Sequence, residues 1–118
     1  MEKIQPEIKF ISDPASIAFY LNEQFSSDCF WVLDENTLKH CQPLLKAVNE
    51  DRLLIVPAGE NHKNIQTASL VWKFLAQNFA HRKSVLINLG GGVLCDTGGF
   101  AASVFQRGMA FVNIPTTL

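Results

Sequence analysis

Four short, almost uninterrupted apolar runs most constrain this chain: CFWVLD (29–34), RLLIVP (52–57), SVLINL (84–89) and AFVNI (110–114). CFWVLD has the pattern of a strand buried on both faces, and the other three read as strands. Segments of helical tendency lie between them. A weaker strand candidate, EIKFI (7–11), precedes a helix start at Ser12-Asp13-Pro14 that runs to about Phe25. ENTLKHCQPLLKAV (35–48) follows the first buried run, with Pro43 expected to interrupt it. Residues 64–79 form the clearest helix, with Ile65, Ala68, Trp72, Leu75 and Phe79 expected on one buried face. Small residues fill a last helix over about 93–106. Strands alternating with helices over short connections predict an α/β fold: a parallel sheet with helices on both faces.

In such sheets, sites lie beyond the carboxyl ends of the strands. Every polar or glycine-rich cluster in this chain follows a strand: Asp34 to Asn36, Ala58 to Lys63, Gly90 to Asp96, and Thr116 with Thr117. They are expected to meet on one rim. Gly90-Gly91-Gly92, between a strand and a helix, lets backbone N–H groups and the helix N-terminus approach a phosphate. The spacing is neither GxGxxG nor a Walker motif, and a tight packing turn explains the glycines too. Asp96, one turn into the helix, suits a sugar hydroxyl, or simply the helix dipole. Gly98 and Gly99 each cost about 1 kcal/mol against Ala in a helix, so a neighbouring strand or a ligand must press close there.

In PAGENHK (57–63), Pro57 and Gly59 set a turn, Glu60 suits a ribose diol and Lys63 a phosphate. A solvated loop is the plainer reading. Asp34 and Asn36 stand where dinucleotide folds keep an acidic ribose reader, and Asp34 is equally a good helix cap. The forked guanidinium of Arg107 suits a phosphate or carboxylate. His40, His62 and His81 share no ligand spacing and read as surface or packing residues.

The 118 residues fit one domain, and 47% hydrophobic against 18% charged residues is a globular composition. A formal net charge of -1 gives no basic field for nucleic acid. Three cysteines, Cys29, Cys41 and Cys95, form no CxxC pair, which suits a reduced cytoplasm. The N-terminus lacks the apolar core of a signal peptide, and no apolar run approaches the ~20 residues of a membrane span. Ending at PTTL, just past a strand, the chain reads as a piece of a longer protein.

Taken together, GGGVLCDTGGFAASVFQRGMAFVNIPTTL, PAGENHK and WVLDEN resemble the 3-dehydroquinate synthases of the sugar phosphate cyclase superfamily. The resemblance spans roughly residues 28–118. It implies a Rossmann-like, NAD-binding N-terminal domain over 1–118. In that family, Asp34, Asn36, Gly59, Glu60, Lys63, Gly91, Gly92, Asp96, Thr116 and Thr117 match the NAD pocket. Arg107 matches an arginine for substrate phosphate, one that reaches across a dimer. The implied reaction turns 3-deoxy-arabino-heptulosonate 7-phosphate into 3-dehydroquinate and phosphate, in the shikimate pathway, with NAD used catalytically. The family's zinc or cobalt ligands and most of its substrate contacts lie in a C-terminal domain. These 118 residues are therefore expected to be inactive alone, to self-associate, and to form a homodimer at full length. Cys95 stands where many members carry glycine, Thr97-Gly98 where many carry a bulkier pair, and Ala58 where many carry a polar residue. The alternatives are another sugar phosphate cyclase, a polyol dehydrogenase of the same architecture, or a non-catalytic nucleotide-binding module.

Overall fold

The computed structural model describes residues 28–40, 48–59, 61 and 64–116. Strands β1 (Cys29–Asp34), β2 (Leu53–Val56), β3 (Val85–Gly90) and β4 (Ala110–Pro115) form one sheet in the order β2-β1-β3-β4. All pairings are parallel. Helix α1 (Glu35–His40) follows β1, α2 (Ile65–Gln77) joins β2 to β3, and α3 (Gly92–Val104) joins β3 to β4. The strand at 7–11, the helix from 12 to 25 and the break at Pro43 were expected on residues outside those described.

Position in the sheet explains strand composition. β1 and β3 are central and buried almost throughout, so they need apolar residues on both faces. β4 is an edge strand whose residues alternate between partly buried and exposed. Phe30, Val32 and Leu86 face α2 and α3, meeting Ala68, Val71, Phe74 and Leu75 of α2 and Leu94, Ala101 and Ala102 of α3. Trp31, Leu33, Ile87 and Leu89 build a second core on the opposite face. The helices expected on that side were read largely from residues outside those described.

The buried face of α2 differs from the expected one. Ala68 and Leu75 are buried as expected, but their partners are Val71 and Phe74. Ile65 is 53% exposed and Phe79 88%. A run of 65, 68, 72, 75 and 79 drifts around a helix of 3.6 residues per turn, so its ends leave the core. Phe79 also lies beyond the last helical residue, with φ 62°. Trp72 is partly buried, and its indole N–H donates to the Ala101 carbonyl at 2.9 Å, tying α2 to α3.

Close packing explains the glycine pair in α3. A Cβ on Gly98 would strike the side-chain amide of Asn88 in β3, and one on Gly99 would sit 3.1 Å from the Phe111 ring in β4. Neighbouring strands, rather than a ligand, occupy that face.

Register sets the position of the site. Leu33 pairs with Leu89, Asp34 with Val56, and Gly90 with Pro115. The carboxyl ends of the strands are therefore level. The chain leaves β1 for β2 on one flank and returns to β3 on the other. The crevice beyond β1 and β3 is the switch point at which open α/β sheets bind ligands.

Candidate functional site

Three loops build this rim. After β1, the Asp34 carboxylate accepts the Thr37 N–H at 2.7 Å and caps α1, which is why the helix starts at Glu35. The cap takes one carboxylate oxygen. Glu35 accepts the Ala58 N–H at 3.1 Å and so ties the loop after β2 to the start of α1. Asn36 is exposed on α1.

After β2, Gly59 adopts φ +107°, which disfavours any side chain. Glu60 and Lys63 lie outside the described residues. Asn64 then caps α2, accepting the Thr67 N–H at 3.0 Å and the Thr67 hydroxyl at 3.2 Å.

After β3 a single residue, Gly91, separates strand from helix. Gly90 is the last strand residue, and its carbonyl accepts the Thr116 N–H at 2.9 Å. A Cβ at Gly90 would crowd Leu94 and the Thr37 hydroxyl. Gly91 is the N-cap of α3 and has no side chain to cap it, while Gly92 has open space where a Cβ would point. The leading N–H groups of α3 thus have no side-chain acceptor at the cap, and they carry the positive end of the helix dipole.

Between these loops lies a small cleft open to solvent. Asp34 and Thr67 line it with Gly59, and Val93, Leu94 and Thr97 of α3 form the opposite wall with Val56 and Pro57. Thr97 is only 6% exposed, and its hydroxyl has no hydrogen-bond partner. Asn88 Oδ1 is the second such atom among the described residues. It faces Gly98 inside the fold, while its amide N–H donates to Asn113 at 3.0 Å.

Cys95 lies beneath the rim, with Sγ 3.8 Å from the Gly90 carbonyl. Burial pushes its thiol up to about 11, and the Asp96 and Asp34 carboxylates add to the shift. Asp96 follows Cys95 directly and is exposed on α3. A neutral buried thiol is a poor nucleophile.

The structure brings Asp34 and Gly59 to one cleft, sets Gly91 and Gly92 at the start of α3, and ties Thr116 to Gly90 at the same end of the sheet, while Asp96 is exposed on α3. Thr117 lies outside the described residues. Arg107 is exposed just before β4, at the amino end of the sheet and so at the end opposite the rim. It is held with φ 69°, next to Gln106 at φ 47°; such backbone is costly in non-glycine residues. No cluster of three or more His, Cys, Asp or Glu suited to a metal occurs among the described residues. No helix among them is long and apolar enough to cross a membrane.

Sequence reasoning singled out neither Glu35 nor Thr67, and it noted Thr97 only as a departure. One signal was available for Thr97: it stands four residues after Val93 and three after Leu94, on the face those residues share.

The sequence model of the 3-dehydroquinate synthase N-terminal family matches residues 53–118, more than half of the chain. A 3-dehydroquinate synthase from Parabacteroides distasonis is 40% identical over 92 residues, covering 75% of this chain and 26% of that protein. The chain therefore spans about a quarter of that relative's length. Among solved structures, 2-epi-5-epi-valiolone synthase ValA from Streptomyces hygroscopicus subsp. jinggangensis 5008, with NAD+ and Zn2+ bound, superposes with a TM-score of 0.76. It is 22% identical, and the match covers 99% of this chain and 34% of that one. A 2-deoxy-scyllo-inosose synthase complexed with carbaglucose-6-phosphate, NAD+ and Co2+ gives a TM-score of 0.66 at 21% identity, covering 88% and 29%. Both likenesses show the fold, a Rossmann-like parallel sheet with helices.

Proposed function

Because the chain belongs to the 3-dehydroquinate synthase N-terminal family, we propose that it forms the NAD-binding part of an enzyme converting 3-deoxy-arabino-heptulosonate 7-phosphate to 3-dehydroquinate. One observation carries the reading. An acid, Asp34, and the uncapped, glycine-led start of α3 meet at the switch point of a parallel sheet. Such a site suits a dinucleotide: carboxylates accept from ribose hydroxyls, and helix amides donate to a pyrophosphate. The identity to a 3-dehydroquinate synthase, 40% against 22% to the valiolone synthase, favours this member of the superfamily over other cyclases.

In this reading Asp34 and Glu60 hold ribose hydroxyls, with Asn36 and Lys63 beside them. The amides of Gly91 and Gly92 hold the pyrophosphate. Asp96, Thr116 and Thr117 complete the proposed pocket. When bound, NAD supplies reversible hydride transfer. This chain's own residues contribute binding and orientation, and Gly92, with open space at its Cα, lets the cofactor approach the backbone closely. No group of three or more His, Cys, Asp or Glu among the described residues could hold zinc or cobalt. Residues 1–118 by themselves are proposed to bind without turnover.

Arg107 lies at the end of the sheet opposite this rim, so in this reading it serves a substrate phosphate from a second chain. This supports a homodimer at full length. Phe100 and Val104, one turn apart on α3 and each 50% exposed, offer an apolar surface for the proposed self-association. A reduced, cytoplasmic setting suits two buried cysteines that form no disulfide, Cys29 and Cys95.

Calorimetric titration of NAD tests the reading. Saturable binding, weakened at least tenfold by both Asp96→Ala and Glu60→Ala, is expected. Absence of binding by the wild-type chain overturns it.

A further inference from the structure

We propose that the Thr97 hydroxyl is a ligand-binding group that hydrogen-bonds one nucleoside end of a dinucleotide seated in the cleft between β1, β2 and α3. The inference rests on the cofactor reading above and adds a contact that reading does not contain.

Thr97 is 94% buried, yet its hydroxyl has no hydrogen-bond partner. A helical threonine ordinarily has a cheap remedy, bonding back to the carbonyl three or four residues earlier. Ser103 does so at 2.8 Å in the same helix, to Gly99, but Thr97 does not. A buried polar group left unpaired is costly, so one that persists calls for an explanation. The other orphan, Asn88 Oδ1, has a structural one: it lies against the backbone of Gly98, inside the fold. Thr97 instead lines the open cleft.

The rest of the cleft supports a specific occupant. Val56, Pro57, Val93 and Leu94 make its walls apolar, and the Thr67 hydroxyl is already spent on Asn64. Apolar walls with a few convergent polar groups are the usual make-up of a small-molecule site. The cleft is small and open to solvent, so no more than one end of a dinucleotide can reach into it. The Asp34 carboxylate at its edge disfavours a phosphate there and favours an uncharged group bearing hydroxyls. A sugar hydroxyl or a ring nitrogen meets the one donor and two acceptor positions of Thr97.

The test uses the 118-residue chain with Thr97→Val, which removes the hydroxyl at nearly constant volume, and Thr97→Ser, which keeps it. Melting temperatures without ligand are compared with calorimetric titrations of NAD, AMP and nicotinamide mononucleotide. Thr97→Val is expected to melt at or above the wild-type temperature, because the orphan hydroxyl is gone. It is expected to bind NAD about tenfold more weakly, the scale of one lost hydrogen bond. Thr97→Ser should stay within about twofold. The loss should recur with only one of the two mononucleotides, and that one identifies the end seated in the cleft. Wild-type affinity in Thr97→Val overturns the inference and leaves the cofactor reading intact. Equal losses of affinity and melting temperature in both variants assign Thr97 to packing and overturn it as well, and equal loss with both mononucleotides overturns the assignment to one end. A wild-type chain that does not bind NAD overturns the cofactor reading, and this inference with it.

Discussion

Asn88 Oδ1 occupies the space that a Cβ on Gly98 would need, so β3 and α3 meet there with no side chain between them. Asn88 is fully buried and held by Asn113, so its amide has little freedom to move aside. Gly98→Ala should therefore destabilise the chain by about 1–3 kcal/mol, the usual cost of overpacking, despite the ~1 kcal/mol gained in helix propensity. Adding Asn88→Ala should restore part of the loss. Urea unfolding of the two single variants and the double variant measures this coupling.

Asp34 serves both a helix and, in the proposed function, a ribose. Asparagine caps a helix about as well as aspartate but has no charge. Asp34→Asn should therefore keep stability within about 0.5 kcal/mol, whereas Asp34→Ala should lose about 1 kcal/mol with the cap. Both should weaken NAD binding. A thermal melt and a titration on each variant separate the two roles.

Asp28, at the amino end of β1, gathers three partners from other parts of the chain. Ser84 donates to it at 3.1 Å, Arg52 pairs with it at 3.2 Å, and His81 Nε2 lies 2.9 Å away. Ser84 is fully buried and its hydroxyl oxygen also accepts the His81 backbone N–H at 3.1 Å, so Asp28→Ala should cost about 1–3 kcal/mol by leaving the hydroxyl proton without an acceptor. The His81 side chain is 56% exposed, and His81→Gln should change stability by less than about 1 kcal/mol. Denaturant midpoints of the two variants should keep that order.

Alkaline pH should act through two thiols. Burial, with a contribution from Asp28 that outweighs the opposing Arg52, pushes Cys29 from 9.0 up to about 11. Cys95 rises equally, through burial and then the Asp96 and Asp34 charges. Unfolding releases both to titrate near 9.0. Their contribution to stability is full below pH 9 and is lost as pH rises from 9 through 11. The urea midpoint should fall across that window, and Cys29→Ala with Cys95→Ala should flatten the fall. A thiol reagent at pH 8 should label neither residue in the folded chain.

The central strands were legible because burial on both faces leaves no room for polar residues except Asn88, so CFWVLD and SVLINL stand out as runs. The edges were less so: β2 begins at Leu53 and ends at Val56, inside the run 52–57. The glycines of α3 announced a close approach, but not that Asn88 and Phe111 were what approached. α2 was visible as a helix, yet its buried face was misassigned, because five apolar residues at mixed spacings fit two adjacent faces. Asp34 and the glycine turn could be read from their places after strands. Whether the Thr97 hydroxyl finds a partner depends on what α2, β1 and β2 bring opposite it, which periodicity along one helix does not contain.

β1 lies between two strands that come later in the chain, and β3 reaches it only after the α2 crossover. Pairing between segments far apart in sequence is slow, because the intervening loop must close before any contact forms. The wall bearing Asp34 and the wall bearing Gly91 therefore have no fixed relation until that last docking event. Occupancy of the cleft is then a clock for folding: a stopped-flow trace of nucleotide capture during refolding should lag the rise of helical signal and coincide with the completion of the sheet.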